Sequence, residues 1–242
     1  MWWKPPTLPV TAKDQAWVDE SFAWFATQCG VEYARAVTML LPGDFPDSYQ
    51  GDASSARALL DRICPSMQVD PTSVDLEIYD DHTEEMRRIL PTLAAPTLNS
   101  PAGLYLPPRS ADERHIIGIE QRQLQDPFVL VATLAHEVGH VRLLGGGLIE
   151  RDPYHELLTD LFTVFCGFGV FSANSACMFD QHQGNFYHGW SYRRHGYLSQ
   201  QVYGYALACW TFLPQEWKPA WARYLTLNVK CDFEASLKYL QR

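Results

Sequence analysis

The residues best suited to chemistry are His136, Glu137 and His140, which read H-E-x-x-H within FVLVATLAHEVGHVRLL, residues 128–144. Two imidazoles four positions apart lie one turn apart on the same face of a helix, with roughly 5–6 Å between Cβ atoms. Both can then reach a single divalent ion at about 2.0–2.1 Å, the length of a zinc–nitrogen bond. Glu137 points about 100° round the helix from His136, near enough to hold a water beside the ion without ligating it. The competing reading is a long buried helix that carries two histidines by chance. The neighbouring residues decide between the two.

Those neighbours specify a helix. Residues 128–135 are apolar or small and contain no Pro or Gly. Asp126-Pro127 supplies an N-cap followed by proline at the first helical position. Gly145-Gly146-Gly147 supplies the stop. Gly139 lets another backbone approach. The motif therefore falls in the second half of a capped helix.

A second segment carries the complementary chemistry. In Tyr154–Phe165, YHELLTDLFTVF, Glu156 and Asp160 share one helical face while Leu157, Leu158, Leu161, Phe162, Val164 and Phe165 make the other apolar. Two carboxylates on such a helix are costly unless they are paired or bound to a metal. One reading is a solvated stripe. The sharper one makes Glu156 the third ligand, with Asp160 accepting the Nδ1–H of a ligand imidazole and fixing its tautomer. His155 is the rival third ligand, although it lacks an acidic residue at i+4.

His136-Glu137-x-x-His140 followed by Glu156-x-x-x-Asp160 resembles the gluzincin metallopeptidases, with Thr159-Asp160 standing where that pattern has Ser-Asp. The likeness covers residues 128–165 and is thermolysin-like in the metal motif alone. It implies a zincin-like fold and zinc held by His136, His140 and Glu156. It also implies Glu137 as general base and Asp160 behind the ligands. The metzincin continuation H-x-x-G-x-x-H fails, because Leu143 stands at its Gly position and Gly146 at its His position. The E-G-C-L-S segment that gives peptide deformylases their cysteine ligand is missing.

Elsewhere the chain offers supporting elements. Ala12–Cys29 reads as a helix closed by Gly30, Ala36–Leu41 as a strand, Ala53–Ile63 as a second helix and Val74–Tyr79 as a strand. This helix–strand–helix–strand opening predicts a small α/β layer. Asp80-Asp81-His82 is better read as a solvated strand end than as a metal cluster. Residues 91–108 are proline-rich and read as an extended connector. Leu104–Leu106 and Ile116–Glu120 are expected strands, the latter with a free edge that could accept an extended peptide. His115 beside it is read as a half-exposed strand residue. Residues 178–197, with His182, His188, His195, Tyr187, Tyr192 and Tyr197, read as a polar aromatic loop over a cleft. His195 and Tyr197, with Tyr203 behind them, are the candidates to donate to a developing oxyanion, and ordinary packing is the competing role. Leu198–Phe212, Trp217–Val229 and Phe233–Leu240 read as three closing helices.

Composition bounds the rest. The chain has 242 residues, 47% of them hydrophobic and 19% charged, with a formal charge of −9. That charge argues against a nucleic-acid partner, which wants clustered Lys and Arg. The longest apolar run, Leu161–Phe171, is short for a bilayer and holds two glycines, so no membrane association is expected. The six cysteines form no C-x-x-C, and MWWKPPTLPVT is not a signal peptide, so thiols in a cytoplasmic protein are expected.

The expectation is an α+β fold with an N-terminal α/β part, 1–95, and a catalytic part, 96–242. The catalytic part combines a small mixed sheet, an active-site helix, a glutamate helix and a helical C-terminal portion. The expected activity is zinc-dependent hydrolysis of a peptide or protein. The alternatives are a binding or regulatory protein derived from such a fold, and a metal-dependent amidase on a non-peptide substrate.

Overall fold

A computed structural model describes residues 7–45, 48–80, 102–110, 112–183 and 198–242, the side chains of 177–183 excepted. The protein is mixed α+β, mainly helical, with one small three-stranded mixed sheet among the described residues. It forms two compact units, residues 45–151 and residues 1–44 joined with 152–242.

The unit of residues 45–151 holds the sheet. Helix α3, Ala53–Ser66, starts at a capping box in which the Asp52 carboxylate accepts the Ser55 N–H. Arg57 then ties α3 to the start of the sheet by donating to the carbonyls of Pro71 and Val74. Strands β1, Val74–Tyr79, β2, Gly103–Leu106, and β3, His115–Glu120, lie in the order β1-β3-β2. β1 runs parallel to β3, and β2 runs antiparallel to it. The expected free edge on Ile116–Glu120 is therefore wrong: β3 is the central strand, bonded on both sides. Its burial explains the placement, since Ile117, Gly118, Ile119 and Glu120 are all buried, as a central strand requires.

Helix α4, Pro127–His140, follows β3 and carries the H-E-x-x-H motif. The Asp126 carboxylate accepts the N–H groups of Phe128 and Val129, and Pro127 opens the helix, as the sequence predicted. Leu130, Leu134, Ala135 and Val138 are fully buried. Each large apolar side chain so buried contributes about 1.5–3 kcal/mol, enough to offset the cost of the polar groups on the same helix. A π turn over Val141–Gly145 ends it, where the glycines were expected to.

The other unit is helical. It contains α1, Ala12–Cys29, α2, Val31–Ala36, α5, His155–Thr163, α6, Gly169–Gln183, α7, Gln200–Trp210, and α8, Leu227–Leu240. Its core is aromatic: Phe25 meets Phe162 and Phe165 with ring centroids at 5.0 and 5.4 Å, and Phe22 meets Phe165 edge-on at 5.6 Å. α7 crosses α8 closely at Gly204, where an added Cβ would lie 2.6 Å from Asp232 Cβ.

Two expectations need correction here. Ala36–Leu41 is not a strand; Val31–Ala36 is a short helix and 37–41 is irregular. Its backbone is satisfied by a helix rather than a sheet. Gly167, at φ +92°, kinks the α5–α6 run, and its carbonyl accepts the Leu40 N–H at 2.8 Å. Likewise Trp217–Val229 is not a helix. A 3-10 turn at Ala220–Tyr224 gives way to extended backbone at Leu225 and Thr226, and a single helix from Leu227 replaces the last two of the three expected.

Two helical stretches, Pro127–Gly145 and His155–Ala176, are long and apolar enough to cross a membrane. Their apolar windows are 61% and 83% buried within the protein, as core helices are. No disulfide joins the described cysteines.

Candidate metal centre

The H-E-x-x-H spacing works as a helix dictates. On α4 the His136 and His140 rings lie 4.7 Å apart between centroids, at 88° to one another. His136 is half-buried, while His140 and Glu137 are each only 5% exposed. The third carboxylate comes from the first turn of α5, so residues 127–163 supply the whole set. The donor atoms of His136, His140 and Glu156 all lie within 4.8 Å of one another. Donors about 2.1 Å from one ion at a tetrahedral angle sit roughly 3.4 Å apart, so the cluster stands near ligating separation. Two imidazoles and a carboxylate are also the donor types that zinc accepts.

His155, the rival ligand, has another job. Its Nε2 contacts Glu156 Oε1 at 2.9 Å, and its Nδ1 is hydrogen-bonded to the carbonyl of Asp152. One ring nitrogen thus faces the Glu156 carboxylate and the other the Asp152 carbonyl, and His155 is not among the three clustered donors. The Thr159 hydroxyl, donating to the His155 carbonyl at 2.8 Å, braces the same turn.

Asp160 is 3% exposed, so it is no part of a solvated stripe. Its Oδ2 accepts the N–H of Leu198 at 3.2 Å, which pins the chain where the C-terminal segment begins. His195 and Tyr197 lie outside the described residues, as do His188, Tyr187, Tyr192, Asp81 and His82, and the side chain of His182. Tyr203 is 1% exposed on α7.

Compared with protein-family models, curated proteins and solved structures, the chain matches none.

Gly103, Tyr105 and His115, given no site role from the sequence, back the motif. β2 runs alongside α4, and opposed residues of an antiparallel pair face the same way. Gly103, opposite Ile119, and Tyr105, opposite Ile117, therefore share a face. A Cβ on Gly103 would lie 2.6 Å from Glu137 Oε1, so the strand abuts the carboxylate of the proposed base. Tyr105 stacks on His140, with centroids at 6.1 Å and an interplanar angle of 22°. Its hydroxyl shares a 3.0 Å hydrogen bond with His115 Nδ1. Burial holds the Tyr105 hydroxyl above its ordinary pKa, partly offset by the positive charge of Arg151, and holds the His115 imidazole below its own. Both groups are accordingly neutral at pH 7. The glycine and the alternation of β2 are visible in the sequence; which helix they meet is not.

Proposed function

We propose that the chain is a zinc-dependent hydrolase of peptide bonds with a zincin-like arrangement of active-site helix and glutamate helix. One observation carries the reading: two imidazoles and a carboxylate converge within 4.8 Å, with the buried Glu137 on the same helix as the imidazoles. A structural ion needs no adjacent base, and a carboxylate is expensive to bury without a task. Three protein ligands also leave one corner open, as catalytic zinc sites do.

Bound zinc supplies a Lewis acid that polarises the scissile carbonyl and makes water acidic enough to attack at neutral pH. The protein's own groups do the rest. Glu137 takes a proton from the attacking water as its oxygen bonds to the carbonyl carbon. The same carboxylic acid then gives that proton to the amide nitrogen as the C–N bond breaks, leaving an amine and a carboxylic acid whose remaining proton passes to the amine or to solvent. Glu156, steered by His155, completes the ligand set, and the stacked, buried His140 holds its ring in place.

The test is Glu137→Gln in zinc-loaded protein, assayed against a diverse peptide library with zinc content measured in parallel. General base catalysis is worth about 10²–10⁴-fold. Zinc should stay at one per chain while cleavage falls by at least about 100-fold. Cleavage that survives the substitution would refute the role of Glu137. A wild type that holds zinc but cuts no peptide would favour the binding protein, or an amidase if a non-peptide amide is hydrolysed.

A further inference from the structure

We infer that Tyr105 and His115 form a positioning pair that sets the ring plane of the ligand His140, with Gly145 providing the space for it. This rests on the metal reading above and adds two residues, neither of which ligates, to what the site needs.

An imidazole turns easily about its Cβ–Cγ bond, because that torsion is broad and roughly two-fold. Without a partner, His140 would present its lone pair to the ion only part of the time. Two rings restrict it. His136 meets it edge-on at 88°, and Tyr105 lies near-parallel and offset from it, at 22° with centroids 6.1 Å apart. Tyr105 is itself held at both ends: its backbone is paired in β2 opposite Ile117, and its hydroxyl is bonded to His115 Nδ1. His115 begins the central strand and pairs with Val74 of β1, so its backbone is held by the sheet. The chain thus runs from the sheet through His115 and Tyr105 to a ligand.

Gly145 shows that the arrangement is tight. It closes the π turn directly after the ligand helix, and a Cβ there would lie 2.6 Å from His115 Cε1 and 2.7 Å from the Tyr105 hydroxyl oxygen. The backbone at the end of α4 therefore rests against the pair. A Cβ at 145 would push on both rings, and its three nearest atoms all belong to them.

Simple core packing would make these residues matter to stability alone. A positioning role makes them matter to the metal, and the experiment separates the two. Metal-stripped wild type, Tyr105→Leu, Tyr105→Phe, His115→Gln and Gly145→Ala are titrated with zinc against a chelator of known affinity. Cobalt(II) is titrated in parallel for its visible spectrum, and folding of each stripped protein is checked by circular dichroism. Loss of a partner that orients a ligand typically weakens metal binding 10–100-fold. Tyr105→Leu and Gly145→Ala should fall in that range and shift the cobalt bands. Tyr105→Phe and His115→Gln keep the stacked ring, so they should lose affinity severalfold and fold normally even if Tyr105→Leu does not.

Zinc affinities within twofold of wild type in Gly145→Ala, Tyr105→Phe and His115→Gln, with unchanged cobalt spectra, would overturn the inference and leave the metal site standing. A wild type that binds no zinc, or binds it equally well after His136→Ala, would overturn the metal reading and this inference with it.

Discussion

Gly103→Ala probes the contact between the edge of the sheet and Glu137. The new Cβ would lie 2.6 Å from both Glu137 Oε1 and Thr133 Cγ2 and 2.9 Å from Glu137 Cγ, where ordinary contact begins at 3.4 Å. Restoring ordinary contact takes a movement equal to the difference between 3.4 and 2.6 Å, which is 0.8 Å. Thr133 is not free to yield alone, since its hydroxyl donates back to the Val129 carbonyl at 3.1 Å. Either four-residue β2 backs away from α4 or the Glu137 carboxylate swings aside. Overpacking of this kind costs about 1–3 kcal/mol, and displacing a reacting group by about 1 Å costs on the order of 100-fold in rate. His136 and His140 are absent from this contact. The variant should therefore lose about 1–3 kcal/mol in urea unfolding of the metal-free protein, keep one zinc per chain, and turn over roughly 100-fold more slowly. Equal stability and equal turnover in Gly103→Ala would refute the claim that β2 seats the base.

Two further predictions follow from the same kind of reasoning. Gly167→Ala puts a side chain at φ +92° and 2.2 Å from the Thr38 carbonyl oxygen; the conformational and steric costs together should exceed about 3 kcal/mol, seen as a melting point lower by several degrees, and a variant within 1 °C of wild type would contradict the kink. His115, whose pKa burial lowers, is proton-free in the fold at pH values where the unfolded chain binds a proton. The unfolded state thus takes up more protons below the ordinary value near 6.5, so stability is fully present above about pH 6.5 and is lost as pH falls through the lowered folded value. Melting curves of metal-free wild type and His115→Gln should therefore diverge at neutral pH and converge toward pH 5, and parallel curves would exclude His115 as the cause.

The parts of the fold legible in the sequence were those set by local chemistry. Asp126-Pro127 caps α4 because a carboxylate at that position reaches the first free N–H groups wherever the helix lies. The alternation of Val74, Leu76 and Ile78 gave β1 for the same reason. The misreadings have a common origin in partners distant along the chain. AVTMLL has strand-like residues, but the Gly167 carbonyl that bonds Leu40 lies more than a hundred residues away and turned 37–41 into a docked irregular segment. Nothing within Ile116–Glu120 reveals that two earlier strands, 74–79 and 103–106, flank it on either side. His155 looked like a competing ligand because spacing shows only which face a residue occupies; the carbonyl of Asp152 decides what its ring does. Tyr105 and His115 were given no site role because each carries its meaning only through the other and through α4.

The most direct test of the central claim is zinc K-edge X-ray absorption on protein loaded with one equivalent of zinc. The account predicts a four-coordinate site with two imidazoles, oxygen completing the shell at about 2.0–2.1 Å, and no sulfur scatterer near 2.3 Å. A third imidazole, a zinc–sulfur distance, or a spectrum unchanged by Glu156→Ala would contradict the assignment of His136, His140 and Glu156.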